Sequence, residues 1–320
     1  MTLISKFCTT LFAAFCVVSA HADTYPSKPI KIIVPAAAGG GTDTLARLLG
    51  NSMRTQMNAT VLVENKPGAT QNIGMEFVAK SPADGYTLIV VPDSIGINQG
   101  VSPQSQFHAV NSFSPIALIG SSPVVLVGRP GAPYKNMREL AAHAKANPNK
   151  LSYGSCGIGT IHHMAGELIK ANSGVALLHV PYKGCSQSNA DLLGGQIDLA
   201  IISINNVAAN IESGKLVAYA VTSEKRALRW PNIPTMLESG IPNLNLPSWY
   251  GILAPAGTPK DIIEKLNKVV NQALKEPQIT EAFKTIHMEP IGGTPEQFTD
   301  MLKADVDRFT KLAKSANIKF

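Results

Sequence analysis

Two stretches of this chain combine glycines, hydroxyls and a following helix in the way an anion site requires. The first is Val34-Pro35-Ala36-Ala37-Ala38-Gly39-Gly40-Gly41-Thr42-Asp43. It leads from a β-branched run, Ile30 to Val34, into a segment with Leu45, Leu48, Leu49 and Met53 at helical spacing. Glycine lets the backbone turn sharply and approach a bound group closely. The helix start behind it carries N–H groups without intrahelical partners and the positive end of the helix dipole. A carboxylate or phosphate suits such a place. Thr42 or Asp43 is placed to cap the helix, and Asp43 could also orient a ligand or a water. The second stretch is Gly154-Ser155-Cys156-Gly157-Ile158-Gly159-Thr160, between a short strand at Leu151–Tyr153 and a helix from about Thr160 to Ala171. Ser155 and Thr160 add hydroxyl donors. Two such starts could hold two carboxylates, or one carboxylate and a polar tail. Both stretches could equally be tight strand–helix connections, where glycine is common.

Other chemistries fit less well. Gly39-x-Gly41-x-x-Thr44 lacks the third glycine of a dinucleotide fingerprint, although Glu64 closes the second strand where a ribose-binding acid would sit. No Gly-Lys-Ser/Thr follows either turn, so a P-loop is excluded. His163 and Glu167 are four apart on one helix, yet no H-E-x-x-H or paired C-x-x-C accompanies them, and no metal site is expected. Cys156 at a helix start would have a lowered pKa, which raises the alternative of a secreted Cys-His hydrolase. His162 and His163 follow on the same helix, a poor geometry for its base. No G-x-S-x-G elbow supports a serine version.

The elements that would position these loops follow a repeated plan. Strands at 30–34, 61–63 and 87–91 alternate with helices near 43–57 and 72–79, the β-α-β-α-β pattern of a parallel sheet covered by helices. Strand-like runs at 115–119 and 124–127 follow, and the plan restarts. A helix near 137–146 precedes the second glycine loop. Strands at 177–180, 197–202 and 216–221 and a helix near 188–193 come after it. Past Pro231, Pro234, Pro242 and Pro247, a strand is expected at 249–254. Two amphipathic helices end the chain, with Ile262, Leu266 and Val270 on one and Phe298, Leu302 and Phe309 on the other. This is an α/β chain of two lobes, each with an early glycine loop, joined by a two-crossing hinge near 124–129 and 248–254.

The length of 320 residues and 45% hydrophobic content suffice for two cores, and the 16% charged content excludes a disordered chain. Residues 1–22 read as a signal peptide: Lys6, the apolar run Leu11–Val18, then Ala20-His21-Ala22 as an A-x-A cleavage site. Cys8 and Cys16 each follow a phenylalanine, which excludes a lipoprotein anchor. Losing Lys6 lowers the formal charge of +6 by one. That mild bias favours anions, and with no basic run a nucleic-acid partner is excluded. Cys156 and Cys185 remain in the exported chain. They could form a disulfide or be two separate buried thiols.

Several further segments carry a resemblance. They are Tyr25-Pro26-Ser27-Lys28-Pro29-Ile30, Gly39-Gly40-x-Thr42-Asp43, Glu64-Asn65-Lys66-Pro67-Gly68 and Ala83-Asp84-Gly85-Tyr86-Thr87-Leu88. Gly157-x-Gly159-Thr160-x-x-His163 and Val180-Pro181-Tyr182-Lys183-Gly184 follow. Asp191-Leu192-Leu193-Gly194-Gly195-Gln196-Ile197-Asp198 and Leu253-Ala254-Pro255-Ala256-Gly257-Thr258-Pro259 complete the set. In this order and spacing the chain resembles the Bug family of extracytoplasmic solute receptors, the binding components of tripartite tricarboxylate transporters. The resemblance implies a type II periplasmic binding protein, a monomer without cofactor or catalytic residues. It would close on a small carboxylate for membrane transporter subunits, or serve as a signalling sensor. Residues 23–124 with 251–320 would form one lobe and 125–250 the other. Ala38, Gly39, Gly40, Gly41, Thr42 and Asp43 would hold the ligand from the first lobe, and Ser155, Gly157, Gly159 and Thr160 from the second. Ser94, Lys183, Gly184, Ser203 and Asn205 would tune it. Two departures stand out. Ala37-Ala38 replaces prolines, and Cys156 and Cys185 replace small polar residues in loops expected to face the cleft. The two cysteines could bridge if their Cα atoms lie within about 7 Å.

Overall fold

The computed structural model describes residues 25–101, 105–316 and 318, so the signal-peptide reading of residues 1–22 lies outside the described residues. In chain order the elements are β1 (Ile30–Val34), α1 (Gly41–Met57), β2 (Val61–Asn65), α2 (Asn72–Ala79), β3 (Thr87–Pro92), α3 (Ser94–Val101), β4 (Phe113–Ser122) and β5 (Val124–Gly128). Then come α4 (Met137–Ala146), β6 (Ser152–Ser155), α5 (Ile161–Ser173), β7 (Leu178–Pro181), α6 (Cys185–Leu193), β8 (Leu199–Ser203), α7 (Ala208–Glu212) and β9 (Val217–Val221). The chain ends with β10 (Ser248–Pro255), α8 (Lys260–Ala273), α9 (Pro277–Thr285), β11 (Glu289–Gly292) and α10 (Pro295–Ser315).

These strands form a six-stranded sheet in the order β11-β4-β10-β3-β1-β2 and a five-stranded sheet in the order β7-β6-β8-β5-β9. The central strands are apolar on both faces, as strands covered by helices on both sides must be. In the first sheet Ile30, Ile32 and Val34 pack with Leu45 and Leu49 of α1 and Leu266 and Val270 of α8. Ile33, Ile89 and Val91 point the other way, onto Met75 of α2 and Phe298 and Leu302 of α10. The second sheet repeats this division. Val124, Leu126, Leu199 and Ile201 line one core, and Val125, Val127, Ala200 and Ile202 the other.

The chain passes between the sheets twice, at Ser122–Val124 and between Val221 and Ser248. Val124 pairs with Ser203 in the second sheet, while Ser122 pairs with Ser248 in the first. A third connection runs through side chains. Phe309, Leu312 and Ala313 of α10 share a core with Tyr153, Met164 and Leu246. Between α8 and α10 the chain forms α9 and β11, which were not expected. Their short lengths and the exposed Ile291 leave little periodic signal. The start of α6 was also expected three residues late, because Cys185-Ser186-Gln187 carries no apolar residue at helical spacing.

Candidate ligand-binding site

The pairing pattern places the site. β1, β2 and β3 are parallel, and β4 runs with them because both β3 and β4 are antiparallel to β10. The first glycine loop, Asp93 and Ser94, and Ser122 therefore lie at one edge, with Ser248–Tyr250 of incoming β10. In the second sheet β6, β7 and β8 are parallel and β5 is antiparallel to β8. Their carboxyl ends bring the second glycine loop, Tyr182–Cys185 and Ser203–Asn205 to the edge where β5 enters. Both edges meet at the Ser122–Val124 crossing. A crevice outside the carboxyl ends of strands is where open α/β sheets bind ligands.

In the first loop, Ala38, Gly39, Gly40 and Gly41 are exposed, while Thr42 and Asp43 are buried. The N-cap of α1 is Gly40, with no side-chain cap, so neither Thr42 nor Asp43 caps the helix as the sequence suggests. Asp43 reaches back instead. Its carboxylate accepts from Gly39 N at 2.9 Å, Arg47 Nε at 3.0 Å and Asn65 Nδ2 at 3.0 Å. The Arg47 hydrogen bond leads these in pulling its pKa down to about 2, against the opposing effect of burial. Asn65 Nδ2 also donates to Ala36 O at 3.0 Å, tying β2 to the loop. The N–H groups of Gly41, Thr42 and Asp43 have no protein partner among the described residues. The Tyr250 hydroxyl borders them, 3.4 Å from where a Cβ on Gly41 would sit. Burial is the largest cause of the rise of the Tyr250 pKa to about 12, so it stays a neutral hydrogen-bonding hydroxyl.

The second loop is closed on itself. Gly157 N donates to Ser155 Oγ at 3.2 Å, and Gly159 N donates to His163 Nδ1 at 3.2 Å. Thr160 Oγ1 donates to Gly157 O at 2.8 Å, and the Thr160 side chain accepts from His163 N as the N-cap of α5. Ser155 is fully buried and meets His179 Nε2 at 2.7 Å. His179 stacks on His163 with ring centroids 4.1 Å apart. Burial, then the neighbouring His163, lowers the His179 pKa to about 4. Ser155 and Gly159 thus lie behind the loop surface, and the N–H groups of Ile161 and His162 are left without a protein partner among the described residues. Cys156 and Cys185 form a disulfide with Cα atoms 4.3 Å apart, which ties the loop to the start of α6. Cys156 therefore carries no free thiol for a hydrolase.

The tuning candidates separate by place. Ser94 donates to Gln71 Oε1 at 3.0 Å, Lys183 is exposed, and Gly184 is the N-cap of α6. Ser203 is buried against His162 Nε2 at 2.8 Å. Asn205 is exposed at the crossing, where Ser122 Oγ approaches its Oδ1 at 3.5 Å. Tyr250, Asp93, Ser248 and His179 escaped the sequence reading. Ser248 donates to Asp93 Oδ2 at 2.7 Å, and burial drives the Asp93 pKa up to about 7. The available signal was the polar pair Ser248 and Tyr250 opening an otherwise apolar strand. A separate cavity of about 420 Å3, walled by Pro123, Leu228, Trp230, Phe283 and Met288, includes no glycine-loop residue.

Two helix-covered sheets with two crossings and facing carboxyl edges define the class: a two-lobed α/β solute-binding protein of the periplasmic type. Residues 45–318 match the model of the tripartite tricarboxylate transporter family receptor (TctC), and the chain belongs to this family. Protein BugT of Bordetella pertussis (strain Tohama I) is 34% identical over 300 residues, covering 93% of this chain and 92% of BugT. The structure of the periplasmic binding protein BugD is similar at 37% identity and a TM-score of 0.75, covering 92% of this chain and 99% of BugD. R. palustris Rpa4515, solved with adipate, is similar at 32% identity and a TM-score of 0.78, covering 92% of this chain and 99% of its own. Among the described residues no helix is long and apolar enough to cross a membrane.

Proposed function

We propose that the protein captures a small carboxylate without an ammonium group in the crevice and presents the closed form to the membrane subunits of a tripartite transporter. The observation that carries this reading is the set of unpartnered N–H groups of Gly41, Thr42 and Asp43 at the start of α1. A helix start without protein partners is completed by a ligand or water, and its dipole favours an anion by about 0.3–1 kcal/mol or more. The only carboxylate of that loop, Asp43, is already engaged by Gly39, Arg47 and Asn65. That leaves no free negative charge there for an ammonium. The adipate held by the R. palustris relative supports the same ligand class.

In this reading Ala38 to Asp43 and Tyr250 hold one end of the ligand, and the loop from Cys156 to Thr160 with the start of α5 holds the other. Ser94, Lys183, Gly184 and Asn205 shape the rim, while Ser155, Gly159 and Ser203 support it from behind. The lobes follow the expected 23–124 with 251–320 and 125–250, moved by the sheets so that Val124 joins the second lobe and Ser248–Tyr250 the first, and α10 leans on both cores. The receptor works in the periplasm as a monomer and returns its ligand unchanged. A thermal-shift screen over carboxylic acids, adipate and malate included, tests the reading. Ligand at a hundred times its dissociation constant adds about 2.7 kcal/mol of stability. Absence of a shift with every acid refutes it. Recovery of the ligand chemically altered points to an enzyme, and pull-down of a signalling receptor from membranes points to a sensor.

A further inference from the structure

The Cys156–Cys185 bridge has a neighbour that carboxylate capture leaves without a task. One ring nitrogen of His162 and the two sulfurs lie within 4.8 Å of one another. His162 is 7% exposed, its Nε2 meets Ser203 Oγ at 2.8 Å, and its Nδ1 is buried with no hydrogen-bond partner among the described residues. A histidine held through one nitrogen by a polar partner, with the other nitrogen left without one, is how proteins prepare an imidazole for a metal. The cysteines are 29 residues apart in sequence, so no C-x-x-C motif announces the cluster.

We propose that Cys156, Cys185 and His162 form a redox-gated site for a thiophilic d10 cation of the Zn2+ class, closed while the disulfide stands and opened when a dithiol reduces it. Both cysteines are partly exposed, so a reductant reaches the bridge. A thiolate of the dithiol attacks one sulfur of the bridge, forming a mixed disulfide and releasing the other cysteine. The second sulfur of the dithiol then displaces the first cysteine and leaves as the oxidised dithiol. Two electrons and two protons pass from the dithiol to Cys156 and Cys185. The cation binds the two thiolates and releases those protons. With Zn–S bonds of about 2.3 Å, tetrahedral geometry sets the sulfurs about 3.8 Å apart, close to their non-bonded contact distance. The imidazole is the third ligand, and the fourth position stays open to water or an anion. The site stands independently of the carboxylate reading, because carboxylate capture is assayed on the oxidised chain.

The test uses the mature chain, reduced with a phosphine and kept free of oxygen. Cd2+ is titrated while the thiolate-to-metal charge-transfer absorption is followed, and Zn2+ is titrated against a chromogenic chelator. One ion per reduced chain and none per oxidised chain is the expected result. Cys156→Ser and Cys185→Ser should each remove the charge-transfer absorption. His162→Gln should weaken Zn2+ binding more than tenfold, and Ser203→Ala, which removes only the orienting hydroxyl, by about 10–100-fold. If His162→Gln does not fold, Ser203→Ala decides. Reduced protein that takes up no more metal than oxidised protein overturns the proposal. So does wild-type Zn2+ affinity in the folded His162 or Ser203 variant.

Discussion

The two glycine loops share a backbone plan and differ in where their hydrogen bonds go. In the first, Gly39 N is held by Asp43, while the N–H groups of Gly41, Thr42 and Asp43 have no partner among the described residues. In the second, Gly157 N and Gly159 N are taken by Ser155 and His163, Thr160 caps the helix, and a disulfide fastens the loop to α6. Anchoring explains the contrast. The first loop is fixed from below by the Asp43–Arg47–Asn65 group, which leaves its upper surface available. Beneath the second, the Ser155 hydroxyl and the His163 imidazole draw on the same N–H groups that a ligand would use. In the proposed function the first loop is therefore the anion grip. The second then acts as a wall, and among the described residues its unpartnered donors begin at Ile161 and His162.

The largest effect should come from filling the grip. Gly41→Leu projects a side chain toward Tyr250, where ordinary contact is available, and should lower carboxylate affinity about a thousandfold, roughly 4 kcal/mol. Its melting temperature should stay near wild type, since Gly41 is a first-turn helix residue. Gly159→Leu makes the opposite split. At φ +71° a side chain is strained by about 1–2 kcal/mol, so stability falls as well. Equal melting losses in the two variants, read by calorimetry, would erase the contrast. Next in size, the double variant Cys156→Ser/Cys185→Ser should lose about 2–4 kcal/mol of stability in urea titrations. Its carboxylate affinity should fall less than that of Gly41→Leu. A larger affinity loss would make the wall the primary grip.

Acid should act on the second loop. The His179 pKa is depressed from 6.5 to about 4 by burial, then by His163 and Lys170, with Glu167 opposing. The unfolded chain therefore takes up the proton first as pH falls. Stability present above 6.5 is lost between 6.5 and about 4. The ring is partly exposed, so its share is about 1 kcal/mol after solvent screening. His179→Gln should flatten the melting curve against pH by that amount, and an unchanged slope would remove His179 from the account. The smallest effect belongs to Thr160→Ala. It deletes the cap of α5 at a cost of about 0.5–1 kcal/mol and removes one of the donors to Gly157 O, with less than threefold change in affinity.

Much of this arrangement was legible from residue order. The β-α-β pattern marked the first sheet because Ile30–Val34 and Thr87–Val91 are apolar runs bounded by turn residues, and Leu45, Leu49 and Met53 repeat at helical spacing; its restart at Leu151–Tyr153 and Ile197–Ile202 marked the second. The second crossing was signalled by the prolines before Trp249, but both crossings lie ahead of the expected 124–129 and 248–254, which are strands β5 and β10. The hydrogen bonds inside the loops were not. Whether Gly159 N faces a ligand or His163 depends on side-chain rotamers, and glycine spacing is the same in both cases. Asp43 looked like a cap, yet Arg47 and Asn65 claim it, and the Asn65 contact spans 22 residues. Tyr250 reaches Gly41 only because β10 inserts beside β3, a long-range pairing that local periodicity does not encode.

That insertion has a consequence for how the molecule is made. β10 lies between β3 and β4, yet more than a hundred residues of chain separate it from both. As the polypeptide emerges N-terminus first, the second sheet holds all of its strands by Val221, while the first still lacks its middle strand. The younger sheet can therefore set before the older one is complete. Until Ser248–Pro255 arrive, β3 and β4 present open edges, the kind of surface on which nascent chains stick to one another. Protection of those edges by a chaperone during biogenesis, not the strength of either finished core, would then limit the yield of native receptor.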